Sequence, residues 1–466
     1  MKHQKLFIIG LDCLTPQLVF DRWDNELPTF KKLRNCGIWG KMKSTIPCIT
    51  VPAWASMVTG KDPGELGFYG FRNRKDYSYD NLYFANSLSV KYPAIWNILS
   101  RNKKTSILFN VPQTYPVKPL RGIMVSSFLA PDEQSNYTYP PEIKDEINQI
   151  VDDYQIDVRD FRTDNKQWLV EQINNVTDKH FTVVKNWTKN KKWDFFMFVE
   201  MGPDRLHHGF WGMCEPEHPK FNPDSRYVNT IKDYYLKLDK HIEDLLLLLD
   251  SDTTVIVVSD HGAKSMIGGF CINEWLIKEG LLSLKNYPNQ PSKLSMDNVD
   301  WKNSYCWGDG GYYARIFFNI KGREPSGIIN PAEYKTFRDN MINKIESIPD
   351  INGNISQTKA FIPVEIYHKT NGIPPDLIVY LDNLNLRSIG SIGHNDIYTF
   401  ENDTGPDDAN HDQYGIFIMT DLKDYYASKN INIERNDISI YDIAPTALDL
   451  MDVNFEKYNI RGKIIK

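Results

Sequence analysis

The sequence predicts an α/β fold, a central and mostly parallel sheet flanked by helices and carrying two cap-forming insertions. Three observations lead there. Short apolar runs bounded by Gly, Asp or Asn recur along the chain, as the buried strands of a parallel sheet do. Segments with apolar residues at steps of three and four separate them. Polar residues of catalytic type stand at the ends of the runs, where open α/β sheets place their ligands. At 466 residues the chain has room for two or three ordinary domains, and one large α/β domain with insertions fits equally.

Lys5–Gly10 (KLFIIG) is the first expected strand, and Asp12 follows its carboxyl end. Asp12 therefore reads as a site carboxylate, with a helix-capping role as the alternative. Thr15–Cys36 has a helical apolar side of Leu18, Phe20, Leu27, Phe30 and Leu33. Gly37–Ser44 alternates as a strand and delivers the chain to Thr50. Pro52–Thr59 reads as a helix that Thr59-Gly60-Lys61-Asp62-Pro63 breaks; Pro52 suits its first turn, where a missing N–H costs nothing. The free N–H groups and the positive dipole end then face Thr50 and favour an alkoxide or a phosphate there. Thr50 is the candidate nucleophile, and a plain N-cap hydroxyl is the alternative.

Pro93–Leu99 looks helical and Thr105–Asn110 (TSILFN) strand-like. Residues 112–190 are rich in Pro, Tyr, Asn and Asp, with helical patches at Pro141–Val151 and Gln167–Asn186, and are expected to form an insertion over the site. Trp193–Glu200 is the next strand, with Asp204 and His208 just beyond it. Asp224–Asp250 is the clearest helix, its core stripe being Val228, Ile231, Tyr235, Leu238, Ile242, Leu245 and Leu249. Thr253–Ser259 is the most convincing strand, closed by Asp260-His261-Gly262. Residues 263–410 alternate short strand and loop patterns around Tyr313–Asn319, a helix near Pro331–Ile348 and Asp376–Leu381, and form the second expected insertion. His411 precedes a last core strand, and Ser439–Leu450 ends the chain as a helix.

A net charge of -6 with interspersed signs gives no basic stripe, so a nucleic-acid duplex is not an expected partner. The run after Met1-Lys2-His3-Gln4-Lys5 is too short for a signal peptide, and no stretch approaches the roughly 20 apolar residues of a spanning helix. The six cysteines form no C-x-x-C pair and no disulfide framework. A cytoplasmic protein without membrane insertion is the expectation.

Asp12, Asp204 with His208, Asp260 with His261, and His411 converge if their strands share one sheet edge. Asp204 and His208 are four apart, one helical turn. Three carboxylates and three imidazoles suit zinc, and manganese or iron nearly as well. The division adopted puts Asp204, His208 and His411 on one ion and Asp12, Asp260, His261 and the Thr50 oxygen on the other. Two divalent ions bring +4 against -3 from the aspartates, which acidifies the Thr50 hydroxyl and attracts a small anionic phosphate ester. Two ions about 4 Å apart suit an in-line displacement. Thr50 then attacks phosphorus and water releases it, one hard step becoming two.

These residues, in this order, resemble the alkaline phosphatase superfamily, and its type I phosphodiesterase/nucleotide pyrophosphatase branch above all. The resemblance rests on Gly10-Leu11-Asp12, Thr50-Val51-Pro52 with Thr59-Gly60, Asp204-x-x-x-His208, Ser259-Asp260-His261-Gly262, and His411 before Gly415-Ile416-Phe417-Ile418. Asn319-x-x-Gly322-Arg323-Glu324-Pro325 and Tyr441-Asp442-Ile443-Ala444-Pro445-Thr446 extend it over nearly the whole chain. It implies the two-metal site, Thr50 as nucleophile, and zinc.

Relatives with nucleotide pyrophosphatase activity usually carry His-Gly after the T-G turn and an Asn further on that holds a phosphoryl oxygen. Here Leu66-Gly67 and Phe71 stand in those places, with Asn73 and Arg72 as substitutes. Nucleotide specificity and the choice of diester over monoester are left open. His207 is an alternative ligand to His208, and His394 the runner-up to His411. Arg205 and Lys264 are read as solvated, with clamping of the substrate's non-transferred part as the alternative. Cys48 raises a sulfatase reading, but Thr50 and Pro52 occupy the places where that branch needs Pro and Arg. A non-catalytic metal-binding scaffold is the alternative of another class. Gln113, Tyr115, Trp211, Trp307 and Tyr312 are available to stack a ring.

Overall fold

The computed structural model describes residues 5–466; Met1–Gln4, weighed above as part of a leader, lie outside them. The main sheet contains, in chain order, β1 (Lys5–Leu11), β2 (Ile38–Lys43), β3 (Ser106–Phe109), β4 (Gly122–Val125), β5 (Thr138–Tyr139), β6 (Phe195–Glu200), β7 (Thr253–Val258) and β8 (Tyr414–Asp421). Across the sheet they run β2-β8-β7-β1-β6-β3-β4-β5, with the short strand Ile433–Glu434 outside β2. β7, β1, β6, β3 and β4 are parallel. β8 runs against both β7 and β2, so β2 again points the same way as β1. β5 at the far edge also runs antiparallel, to β4, but it is the reversal of β8 that matters for the site. The carboxyl ends of β1, β2, β6 and β7 and the amino end of β8 all fall on one edge.

Each face of the sheet is covered. Phe7, Ile9 and Leu11 pack with α1 (Pro28–Asn35), α3 (Lys166–Asn190) and α5 (Thr230–Leu246). Leu6 and Ile8 pack on the other side with α2 (Thr50–Thr59), Ile95–Arg101 and α6 (Ile443–Leu450). Odd and even residues of β1 thus serve opposite layers, the pleat of a doubly covered strand. Gly10 has a packing reason: a Cβ there meets Trp54 Cη2 at 2.6 Å and Val199 Cγ2 at 2.8 Å. Only glycine lets the Trp54 indole lie against β1.

Several boundaries differ from the sequence pattern. The stretch 15–36 divides into a π-helical turn at Gln17–Arg22 and α1, which restarts at Pro28, a residue suited to a first helical position. The long helix begins at Thr230 rather than Asp224, because Asn222 and Ser225 side chains accept the Asp224 and Tyr227 N–H groups and hold that approach as turns. Ile231, Tyr235, Leu238, Ile242 and Leu245 remain its buried stripe. Within residues 112–190, β4 and β5 extend the main sheet and α3 packs on its face. Within residues 263–410, a four-stranded antiparallel sheet (Cys306–Asp309, Ala314–Phe318, Leu377–Tyr380, Lys359–Phe361) has its own apolar core.

Candidate metal centre and nucleophile

Asp12 leaves the end of β1 fully buried, and the Trp54 indole N–H donates to its Oδ2 at 2.7 Å. Cys13, the next residue, adopts a left-handed backbone (φ 64°) and gives its N–H to Asp260 Oδ1 at 3.2 Å, tying the ends of β1 and β7 together. Asp204 and His208 lie on α4 (Gly202–Cys214), which starts straight after β6. The predicted turn spacing holds, with His208 Nε2 3.2 Å from Asp204 Oδ1. His411 sits on a short strand of its own, Ala409–Asp412, paired antiparallel with Gly262–Ser265. That pairing brings the His411 and His261 rings into a stack 3.8 Å apart.

Thr50 is the first residue of α2, behind Ile49 as N-cap. Its Oγ1 lies 3.4 Å from His261 Nε2. Ala53 N–H already bonds Ile49 O at 3.0 Å and Pro52 has no N–H, so the Thr50 and Val51 N–H groups are without helical acceptors. Gly60, at φ 62°, ends the helix with a left-handed residue. The whole of α2 is buried, so its first turn meets solvent only through the cavity beside Thr50.

Seven predicted residues therefore meet at one edge. Asp12, Asp260 and His261 offer ligand atoms within 4.8 Å of one another, and so do Asp204, His261 and His411. His411 Nε2 is 3.8 Å from Asp204 Oδ1, and His261 Nε2 is 3.2 Å from Asp260 Oδ2. His261 thus stands between the two groups, where the sequence-based division put it with one.

Two features fit this cluster to cations. Asp12 Oδ1, Asp204 Oδ1 and Asp260 Oδ2 are buried carboxylate oxygens with no hydrogen-bond donor. All three imidazoles turn Nδ1 to an oxygen, His261 to Gly262 O at 3.1 Å, His411 to Cys48 O at 2.9 Å and His208 to Asp407 Oδ1 at 2.8 Å. Nε2 is thereby left inward on each, the arrangement of ligating histidines. Burial, then the neighbouring carboxylates, pushes Asp12 and Asp260 well above the usual carboxylate range. Burial pushes His261 down to about 4, and His208 is pushed up to about 9 because Asp407 and Asp204 outweigh its burial. An anionic cluster in a low-dielectric interior is what a divalent ion neutralises.

A cavity of about 330 Å³ opens over Thr50, with Phe71, Phe128, Phe161, Arg72, Arg162 and Tyr312 among its walls. A family model described as type I phosphodiesterase / nucleotide pyrophosphatase matches residues 6–407. The chain belongs to this family. It is accordingly a phosphoric ester hydrolase. The solved structure of human ectonucleotide pyrophosphatase / phosphodiesterase 5 is similar with a TM-score of 0.55 over 97% of this chain and 96% of that one, at 13% identity, which is a likeness of fold. No curated protein sequence matches the chain.

Some of the other sequence candidates reach the cavity and the rest fall away from it. His207 turns from the cluster to the Tyr235 hydroxyl (2.9 Å), and burial pushes it down to about 3. His394 Nε2 meets Ser391 Oγ at 2.8 Å. Asn73 closes the turn Tyr69–Asn73, accepting from Tyr69 N at 2.7 Å and donating to Gly70 O at 2.9 Å, so its amide is committed. Gly70, Phe71 and Arg72 of that stretch line the cavity. Arg205, read as solvated, is instead 8% exposed, lines the cavity beside Thr50 and holds Asp157 and Asp204, the place its clamping alternative requires. Lys264 does extend away, to Asn383 O at 2.8 Å. Cys48 is buried, its thiol pushed up to about 12 by that burial. Gln113, Trp211 and Trp307 are buried and spent on the fold, the first two on Ala85 O and Ser265 Oγ, the third on a ring cluster with Tyr79 and Trp301; Tyr115 packs half-buried against the main core, and of the five only Tyr312 reaches the site.

Asp407 and Arg162 were missed in the sequence. Asp407 stands in Gly405-Pro406-Asp407-Asp408, where the one available signal was an acidic pair four residues before a candidate histidine.

Proposed function

We propose that this chain is a two-metal phosphodiesterase whose nucleophile is Thr50. One observation carries the reading. The Thr50 hydroxyl stands at a helix N-terminus, on the floor of the cavity, 3.4 Å from an imidazole of the orphaned carboxylate cluster. Asp204, His208 and His411 would hold one ion and Asp12, Asp260, His261 and Thr50 the other, and the mixed nitrogen and oxygen donors favour zinc. The ions supply positive charge that lowers the Thr50 pKa and neutralises the substrate.

The chain's own residues do the rest. The Thr50 and Val51 N–H groups face the phosphoryl oxygens at the positive end of α2. Thr50 gives its hydroxyl proton to water and its Oγ1 forms a bond to phosphorus as the bond to the leaving oxygen breaks; that oxygen leaves with its electron pair and takes a proton from water. A second water then attacks phosphorus and releases Thr50 as a hydroxyl. Segments 112–190 and 263–410 act as caps, contributing Phe128, Phe161 and Arg162 from the first and Tyr312 from the second.

A phosphoryl group alone leaves most of the cavity unfilled, and its aromatic wall suits an organic substituent, which supports a diester. The absence of cystine pairing and of any helix among the described residues long and apolar enough to cross a membrane supports a cytoplasmic enzyme. The test is hydrolysis of bis-p-nitrophenyl phosphate and p-nitrophenyl phosphate by zinc-loaded wild type and Thr50→Ala. Diester cleavage that disappears in Thr50→Ala is the expected result. Monoester preference moves the enzyme to phosphatases, with Phe71 in place of the family's Asn as the residue responsible. Undiminished Thr50→Ala activity removes Thr50 from the mechanism.

A further inference from the structure

Among the three imidazoles, two are oriented by backbone carbonyls and one by a side chain. We infer that Asp407 is the positioning residue that fixes the His208 ring, and that Tyr312 and Arg162 hold its carboxylate for that task. The inference rests on the reading of His208 as a metal ligand.

Asp407 is fully buried and has acceptors only. Its Oδ1, which can only accept, takes the His208 Nδ1–H at 2.8 Å, and this turns Nε2 toward Asp204 Oδ1 at 3.2 Å, where an ion would take the place of the Nε2 proton. Its Oδ2 accepts from the Tyr312 hydroxyl at 3.0 Å and from Arg162 Nε at 3.1 Å, and Arg387 Nη1 approaches to 3.7 Å. The carboxylate therefore cannot turn without abandoning several donors in a buried place, which is costly.

Tyr312 makes the clamp two-sided. Its ring stacks on His208 with centroids 4.9 Å apart at 17°, and on His411 at 4.2 Å and 29°. The same residue thus fixes the plane of two imidazoles and the carboxylate behind one of them. Arg162 comes from segment 112–190, while Tyr312 and Asp407 come from 263–410. A lone ion pair between Arg162 and Asp407 explains neither the ring stack nor the shared acceptor.

The test uses the full chain as wild type, Asp407→Asn and Tyr312→Phe, with zinc affinities measured by competition against a chromophoric chelator. In Asp407→Asn one of the two ions binds about 10–100-fold more weakly and the other is unchanged, since an outer partner of a ligating histidine has effects of that size. Excess zinc recovers kcat, and KM for the diester stays at the wild-type value. Tyr312→Phe, which keeps the ring, weakens the same ion by less. A crystal structure of Asp407→Asn shows the His208 ring rotated about its χ2.

A merely structural Asp407 gives the opposite pattern, a lower Tm with both zinc affinities and the His208 ring as in wild type, and that result overturns the inference. Should Asp407→Asn not fold, an unaltered zinc affinity in Tyr312→Phe overturns it equally. A wild type that takes up no zinc defeats the proposed function instead, and the His208 ring in the Asp407→Asn crystal still decides this inference.

Discussion

Gly10→Ala tests whether the site is built on the packing of Trp54 against β1. The new methyl lies 2.6 Å from Trp54 Cη2 and 2.8 Å from Val199 Cγ2, far inside the roughly 3.5–4.0 Å of a carbon contact. Trp54 and Val199 are both 0% exposed, so neither can move aside into solvent. Overpacking of this kind costs about 1–3 kcal/mol. Relief through Trp54 also draws its N–H from Asp12 Oδ2, now at 2.7 Å, a buried hydrogen bond worth about 0.5–1.5 kcal/mol. The two costs share one displacement and do not add.

Trp54→Phe removes both the clashing ring and the N–H donor. Gly10→Ala should therefore cost less in a Trp54→Phe background, with a coupling of about 0.5–3 kcal/mol across the cycle. Urea unfolding of the four metal-free proteins, followed by far-ultraviolet circular dichroism, measures it. A Gly10→Ala protein as stable as wild type, or strictly additive costs, refutes the reasoning.

Two further outcomes follow from buried polar groups. His180 Nδ1 lies 3.0 Å from Glu200 Oε2; burial opposes the imidazolium, but the carboxylate outweighs it and the pKa is raised above the ordinary 6.5. A raised folded-state pKa stabilises the fold below the unfolded value and ceases to do so as pH rises through the folded one. The stability difference between wild type and His180→Gln is therefore full below about pH 6.5 and shrinks on going alkaline, by thermal unfolding in a pH series; a difference that grows with pH contradicts this. Asn73→Ala should lower stability by about 1–3 kcal/mol through two lost turn hydrogen bonds while leaving KM for the diester unchanged. A raised KM with unaltered stability would restore Asn73 as a phosphoryl-binding group.

Much of this site was legible because strand ends announce themselves. Asp12, Asp204, Asp260 and His261 each follow a short apolar run, and the parallel sheet carries such ends to one edge. His411 was legible for a subtler reason: β8 is reversed, so the residue before that strand reaches the same edge. Long-range contacts were not legible. Asp407 and Arg162 lie in irregular segments without periodicity and meet only through tertiary packing, 245 residues apart. Arg205 reads as solvated because charged residues usually are, yet Asp157, itself in an irregular segment, provides the buried partner. The Trp54 bond to Asp12 requires Gly10 to be small, a fact of packing rather than of pattern. The start of α5 was misplaced because local side-chain to backbone bonds around Asn222 and Ser225 competed with the helix.

The most direct measurement is acid quenching of the zinc-loaded enzyme during diester turnover, followed by peptide mass spectrometry. The account predicts one added phosphoryl group on the peptide containing Thr50, absent from Thr50→Ala. Full turnover with no phosphorylated Thr50 at any quench time, and with burst kinetics absent, would contradict a covalent threonine intermediate and leave direct attack by water in its place.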